Sequence, residues 1–233
     1  MYVQKYLVEK AICSRKEAEV FLREGLILVN GKKAKPGVPL SPTDTVTLTP
    51  AAQRRLREKV TVAIYKPRGI VCSNVQEEGR TVFDIFPQFK HLNTIGRLDK
   101  ESEGLLLLSN DGLITKRITG DTHDVEKEYE VKVQEHVSNT RLAPMAEGIM
   151  LSDGQTLPAT VEATSKHSFR IVLREGRNRQ IRRMCGAIDL TVTSLKRLRI
   201  GELTLGTLKP GNFRKLTLEE IQSLRDPQAS SRT

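Results

Sequence analysis

The sequence has no tryptophan, only three cysteines in 233 residues, and aromatic side chains make up 4% of it. Cys13, Cys72 and Cys185 are odd in number and far apart. They form neither the CxxC spacing of a zinc site nor a disulfide framework, so a reducing cytosol is expected and no thiol chemistry is implied. No apolar run approaches the roughly 20 residues of a membrane helix, and no charged-then-apolar leader with a cleavage site opens the chain. Low-complexity tracts are missing, as are a glycine-rich phosphate loop and a ligand-spaced cluster of metal-binding side chains. What is left is a globular protein, 38% hydrophobic, with room for one or two domains at roughly 150 residues each.

The formal net charge of +10 is unevenly spread. Residues 1–59 carry 12 Lys and Arg against 6 Asp and Glu, residues 60–165 carry 11 against 16, and residues 166–199 carry 10 against 2. Two basic islands around an acidic middle suggest a polyanion held at two places. The plainer reading, in which the middle neutralises the ends within the fold, stays open.

Local patterns give an α+β chain. Residues 2–12 carry Val3, Tyr6, Leu7 and Ile12 near helical spacing. Ser14-Arg15-Lys16-Glu17 has the form of a capping box, and the helix it starts stops at Gly25. A strand at 26–29 meets Asn30-Gly31, a strong hairpin dipeptide, and another strand follows at 46–48. Residues 50–59 are polar, basic and weakly patterned, which reads as a linker and hinge, with a transient helix that could touch RNA as the alternative. Beyond them, 61–65 is a strand ended by Lys66-Pro67-Arg68-Gly69, and 126–133 alternates as a half-exposed strand. Residues 157–163, 169–173, 195–203 and 211–216 are also strand-like, and 113–118, 137–150 and 217–224 are helical. A further helix is expected from Gly176 or Asn178, with Ile181 and Met184 inward. There Arg179, Arg182 and Arg183 share one side, and such like charges repel unless something anionic faces them.

The stretch from 94 to 112 organises the rest. Gly96-Arg97-Leu98-Asp99 leads into four leucines, Leu105 to Leu108, closed by Asn110-Asp111-Gly112. An apolar run of that length suits a fully buried strand, with Asn-Asp-Gly turning the chain out of it. Asp99 then sits in a short loop anchored on a rigid strand, where catalytic groups tend to be placed. A loop aspartate more often only caps a turn or pairs with a nearby cation.

Gly96-Arg97-Leu98-Asp99, Glu103-Gly104-Leu105-Leu106 and Asn110-Asp111-Gly112 together resemble the signature of RNA pseudouridine synthases, in particular the RsuA family that acts on ribosomal RNA. Lys66-Pro67-Arg68-Gly69 matches that family's first motif and Lys127-Glu128-Tyr129 its second. Gln180-Ile181-Arg182 matches the motif whose basic residue pairs with the catalytic aspartate. Residues 126–129 and 177–185 are most similar to RluF-like, large-subunit members. Lys5-Tyr6-Leu7, Ser14-Arg15-Lys16-Glu17-Ala18, Arg23-Glu24-Gly25 and Val29-Asn30-Gly31-Lys32 resemble the small RNA-binding module of the ribosomal-protein-S-four type.

The resemblance implies a helix-helix-hairpin RNA-binding domain at 1–49, a linker at 50–59, a synthase domain at 60–225 and a flexible tail at 226–233. The synthase domain would hold a mixed, mainly antiparallel sheet with flanking helices. It would isomerise one uridine, most similarly in 23S rRNA, with neither cofactor nor metal. Its partner would be ribosomal RNA or an assembling ribosomal subunit, and it would act as a cytoplasmic monomer. Asp99, Arg182 as its partner and Tyr129 stacked on the base would be catalytic. Lys5, Ser14, Arg15, Lys16, Arg23 and Lys32 would touch RNA from the first domain, and Arg97, Lys127, Arg177, Arg179 and Arg183 from the second. Competing readings are the same reaction on 16S rRNA or a tRNA, a catalytically silent ribosome-assembly protein, and a hydrolase pairing Asp99 with Glu101 or Glu103. The last lacks acids paired across a cleft.

Overall fold

The computed structural model describes residues 1–72, 79–120 and 125–225, and the tail expected at 226–233 lies outside them. In the N-terminal unit, helices α1 (Val3–Glu9) and α2 (Arg15–Arg23) pack on a small antiparallel sheet. Its strands are β1 (Ile27–Val29), β2 (Lys32–Lys33) and β3 (Val46–Leu48), with β1 in the middle. The expected capping box is present: Ser14 Oγ accepts from the Glu17 amide, and the Glu17 carboxylate accepts from the Ser14 amide at 2.8 Å. Gly25 ends the helix with a φ of +68°, a left-handed conformation that glycine adopts without a Cβ clash. Val3, Leu7, Phe21, Leu22 and Ile27 fill this core.

Residues 50–57 depart from the expected linker. They form helix α3 (Pro50–Arg57), capped by Thr49, and its Ala52 and Leu56 pack into the N-terminal core. Two apolar residues four apart are a faint signal in a basic stretch. They suffice once a neighbouring core is there to receive them, because packing supplies most of a short helix's stability.

The second unit is built on one large sheet. Its strands are β4 (Thr61–Lys66), β5 (Asn93–Ile95), β6 (Glu103–Ser109), β7 (Lys127–Val133), β10 (Thr160–Ser165), β11 (Ser168–Leu173), β12 (Val192–Ile200), β13 (Leu203–Thr204) and β14 (Phe213–Lys215). The order is β10-β11-β7-β12-β6-β4-β14, with β5 against β6 and β13 against β12. Among the described strands of this sheet, only β12 with β6 is a parallel pair. A separate hairpin joins β8 (Met150–Leu151) and β9 (Gly154–Gln155). Helices α4 (Val82–Ile85), α5 (Gly112–Thr119), α6 (Asn139–Glu147), α7 (Gln180–Gly186) and α8 (Leu218–Arg225) flank the sheet. The leucine run is the buried strand β6. Leu105 and Leu107 enter one core cluster and Leu106 and Leu108 the opposite one, so both faces are covered.

Asn110-Asp111-Gly112 turns the chain out of β6 and directly into a helix. Asp111 caps α5, its carboxylate accepting from the Leu113 amide at 3.0 Å. Asp111 is also 1% exposed and paired with Arg225 and, at 3.1 Å, with Lys59. Lys59 in turn lies 3.1 Å from Glu17. Four charges from α2, the segment after α3, the start of α5 and the end of α8 therefore meet where the two units join. Gly112 lets them close up, since a Cβ there would stand 2.4 Å from Ser14 Cβ.

Burial raises the Asp111 carboxyl, but Arg225 and Lys59 outweigh it and hold it below its ordinary value. A depressed folded-state value means that its stability is present above the unfolded value of about 3.9 and lost as pH falls through the folded one. Asp111→Asn is expected to cost about 3 kcal/mol at pH 7, as removal of one partner from a buried pair does. That difference should shrink progressively in urea titrations as pH is lowered from about 4. An equal loss at every pH would show that the charge carries none of it.

Candidate active site

The loop between β5 and β6 is shaped from below. Lys66, at the end of β4, is 0% exposed, and its Nζ donates to the carbonyls of Ser102 at 2.7 Å and Pro67 at 3.0 Å. Burial pushes this ammonium down, opposed by neighbours that include Asp99, Glu101 and Glu103. The Gly69 amide donates to the Lys100 carbonyl at 2.7 Å, and the Ser102 amide to the Asp99 carbonyl at 3.0 Å. The Lys-Pro-x-Gly turn thus holds the loop that carries Asp99.

Asp99 meets the second basic island. Its Oδ2 lies 3.8 Å from Arg182 Nε and 3.7 Å from Arg179 Nη1, groups at least 80 residues further along the chain. The helix here begins at Gln180, later than the expected Gly176 or Asn178. Its N-cap is Arg179, at φ +49°, a left-handed conformation uncommon for a residue with a side chain. Arg182 is lowered by burial and by Arg179, and raised by Asp99. Its Nε is buried without a hydrogen-bond acceptor, and its Nη2 reaches the Glu101 carbonyl at 3.4 Å. Catalytic contacts are often this long in a free enzyme and tighten with substrate.

Asp99 opens into a cleft of about 1070 Å³, lined also by Arg97, Lys127, Tyr129, Arg179 and Arg197. Arg197 on β12 is opposite Tyr129 on β7. Lys127, Tyr129 and Arg197 therefore project from one face of the sheet. Among the described residues no group of three or more His, Cys, Asp or Glu could hold a metal.

Other expected RNA contacts are placed differently. Arg177 borders the cleft, but its guanidinium donates to Glu175 and to the Gly154 and Gln155 carbonyls, fixing the β8–β9 hairpin. Arg183 does not line the cleft and forms a two-pronged pair with Asp153 at 2.8 and 3.0 Å. Ser14 has its hydroxyl in the helix cap and its Cβ against Gly112, so it belongs to the seam between the units. Lys5, Arg15, Lys16, Arg23 and Lys32 are exposed, Lys5 beside Glu9 and Arg15 beside Glu19. The sequence reading gave Arg197 no role at the site. Its signal was the spacing of Leu195 and Arg197 on one face of a strand.

Residues 60–187 match the model of the RNA pseudouridylate synthase family, and residues 3–46 match the S4 domain. The chain belongs to the RNA pseudouridylate synthase family. Dual-specificity RNA pseudouridine synthase RluF of Escherichia coli (strain K12) is 35% identical over 95% of this chain and 77% of its own length. Ribosomal large subunit pseudouridine synthase B of Bacillus subtilis (strain 168) is 34% identical over 96% of this chain and 95% of its own. A crystal structure of a pseudouridylate synthase has a TM-score of 0.70 and 31% identity, covering 96% of this chain and 99% of that one.

In this RNA pseudouridine synthase the cleft depends on the closeness of β6 and β12. A Cβ on Gly104, whose φ is +110°, would stand 2.3 Å from the Arg197 carbonyl oxygen. Gly104→Ala is expected to lower stability by at least about 2 kcal/mol. An unchanged denaturant midpoint would show that the strands separate without penalty.

Proposed function

We propose that this enzyme converts one uridine of ribosomal RNA, in the 23S molecule, to pseudouridine, with Asp99 as its catalytic carboxylate. The observation that carries the reading is Asp99 itself, at the mouth of the cleft and within 4 Å of two arginines brought from α7. The large-subunit target is supported by the likeness to pseudouridine synthase B of Bacillus subtilis over 95% of that protein.

The reaction breaks the bond between ribose C1′ and uracil N1, turns the base and joins C5 to C1′. The proton leaves C5 and N1 gains one, so the product is an isomer. Asp99 acts on the ribose, by attack at C1′ or by removal of a ribose proton, and either route needs a charged, oriented carboxylate. Arg182 supplies the orientation. The uridine has to leave its stack to reach the cleft, where the ring of Tyr129 offers a surface for the base. Arg97, exposed at the rim, meets the flipped nucleotide or its phosphate. The N-terminal unit grips RNA away from the cleft, through Lys5, Arg15, Lys16, Arg23 and Lys32.

Carbodiimide-stop primer extension on 16S and 23S transcripts tests the reading. A new stop in 23S RNA made by the wild type and not by Asp99→Asn is expected. A stop in 16S RNA or a tRNA would move the target. No stop on free RNA or on precursor subunits, with binding intact, would favour a silent assembly protein. The N-terminal grip has its own signature. Five cations on single-stranded RNA give log K falling with log salt at a slope of about −3.5, at about −0.7 per contact. A slope near zero would contradict it.

A further inference from the structure

Buried polar atoms without a partner are few in a folded protein, and each needs a reason. Among the described residues four side chains hold one: Ser102 Oγ, Arg182 Nε, Arg183 Nε and Arg197 Nη2. Ser102 and Arg197 both line the cleft, and Arg182 backs it beside Asp99. Three of the four orphaned groups are at the cleft, and the fourth, on Arg183, is turned to Asp153.

Arg197 is the most extreme of them. It is 4% exposed, and no carboxylate among the described residues lies within ion-pair distance. Its one hydrogen bond there runs from Nε to the Leu105 carbonyl at 2.7 Å, which fixes the guanidinium over the β6–β12 junction. Lys127, on the same face, is a second cation without a carboxylate partner among the described residues, and its ammonium is pushed down by burial and by Arg197. Two unpaired, mutually repelling cations in a half-dry cleft are costly unless negative charge arrives between them. Asp99 lines the same cleft but is attended by Arg179 and Arg182 and forms no ion pair with Arg197 or Lys127.

We propose that Arg197, with Lys127 beside it, receives the carbonyl oxygens of the departing uracil and stabilises the negative charge they gain when the glycosidic bond breaks. The inference rests on the reaction proposed above. On either route the C1′–N1 electron pair leaves with the base, and the charge spreads over N1, O2, O4 and C5. A guanidinium whose donors are already fixed in place stabilises that spread charge more than the neutral ring of bound uridine. It also keeps the detached base in the cleft while C5 turns toward C1′. The base lying on Tyr129 would have Arg197 as its cross-strand neighbour, which favours the ring over a backbone phosphate as the acceptor.

The test is single-turnover kinetics on an RNA carrying the target uridine, and on the same RNA with 2-thiouridine or 4-thiouridine there. Sulfur accepts hydrogen bonds more weakly than oxygen. Arg197→Gln is expected to slow the isomerisation about 100-fold, the size seen when one donor to a developing anion is removed, with RNA affinity little changed. One thio substitution should slow the wild type markedly and Arg197→Gln hardly further. Arg197→Lys, which keeps the charge at a smaller cost to packing, should fall between them. Additive effects of thio substitution and mutation would overturn the proposal, since a merely structural arginine slows every substrate alike. Weaker RNA binding with an unchanged single-turnover rate would overturn it in favour of a phosphate contact. A wild type inert on every RNA would overturn both this proposal and the reading beneath it.

Discussion

The parallel contact of β6 with β12, Gly104 beside Arg197, is the joint on which the rest of the core depends. Among the described strands it is the only parallel pairing in the sheet, and it joins segments more than 90 residues apart. Everything that lines the cleft hangs from one side of it or the other. The Asp99 loop precedes β6, while α7 and its arginines precede β12. Tyr129 and Lys127 stand on β7, the other neighbour of β12. Gly104 allows the backbones to approach, and Arg197 caps the approach with a bond to the Leu105 carbonyl. A glycine and a buried arginine so placed make the meeting of distant motifs a consequence of sheet geometry.

The second theme is the placement of charge inside. Lys66 and Arg197 are buried cations that bond to backbone carbonyls and have no carboxylate partner among the described residues. Arg197 lines the cleft and Lys66 lies beneath the Asp99 loop, so both add positive potential near the Asp99 carboxylate. Asp111 is the opposite case, a buried anion matched by Lys59 and Arg225. Its task is structural, and it sets the N-terminal unit against the core through Glu17. A half-satisfied cluster at the cleft and a fully satisfied one at the seam suit one site that awaits a ligand and one that does not.

Much of this was legible in the chain. Four consecutive leucines between turn-forming residues announced a strand covered on both faces, and the Ser14–Glu17 box announced its helix. Both are local signals that tertiary contacts reinforce. Asp99 and Arg182 were legible as partners only through family likeness, because spacing cannot bring together residues 83 apart. Helix α3 was legible only as a transient alternative to a linker, since its apolar face is two residues wide and is fixed by packing on the N-terminal core. Asn110-Asp111-Gly112 announced the exit from the leucine strand, but the pairing of Asp111 with Lys59 and Arg225 was hidden because those cations come from distant segments. Arg177, Arg183 and Ser14 were expected at RNA through family likeness, and the sequence could not show the intramolecular partners they have here. Arg197 drew no such expectation, as charged residues in strands ordinarily face water.

The account's central claim is that the cleft brings a single flipped uridine between Asp99 and the sheet face bearing Tyr129. The structure of Asp99→Asn bound to an RNA containing its target uridine would test that most directly. The expected result is the uridine out of its stack, its base on the Tyr129 ring and its C1′ within roughly 3.5 Å of the side chain at position 99, a near-attack distance. A uridine still stacked in the RNA, or one bound with its ribose away from position 99, would contradict the account.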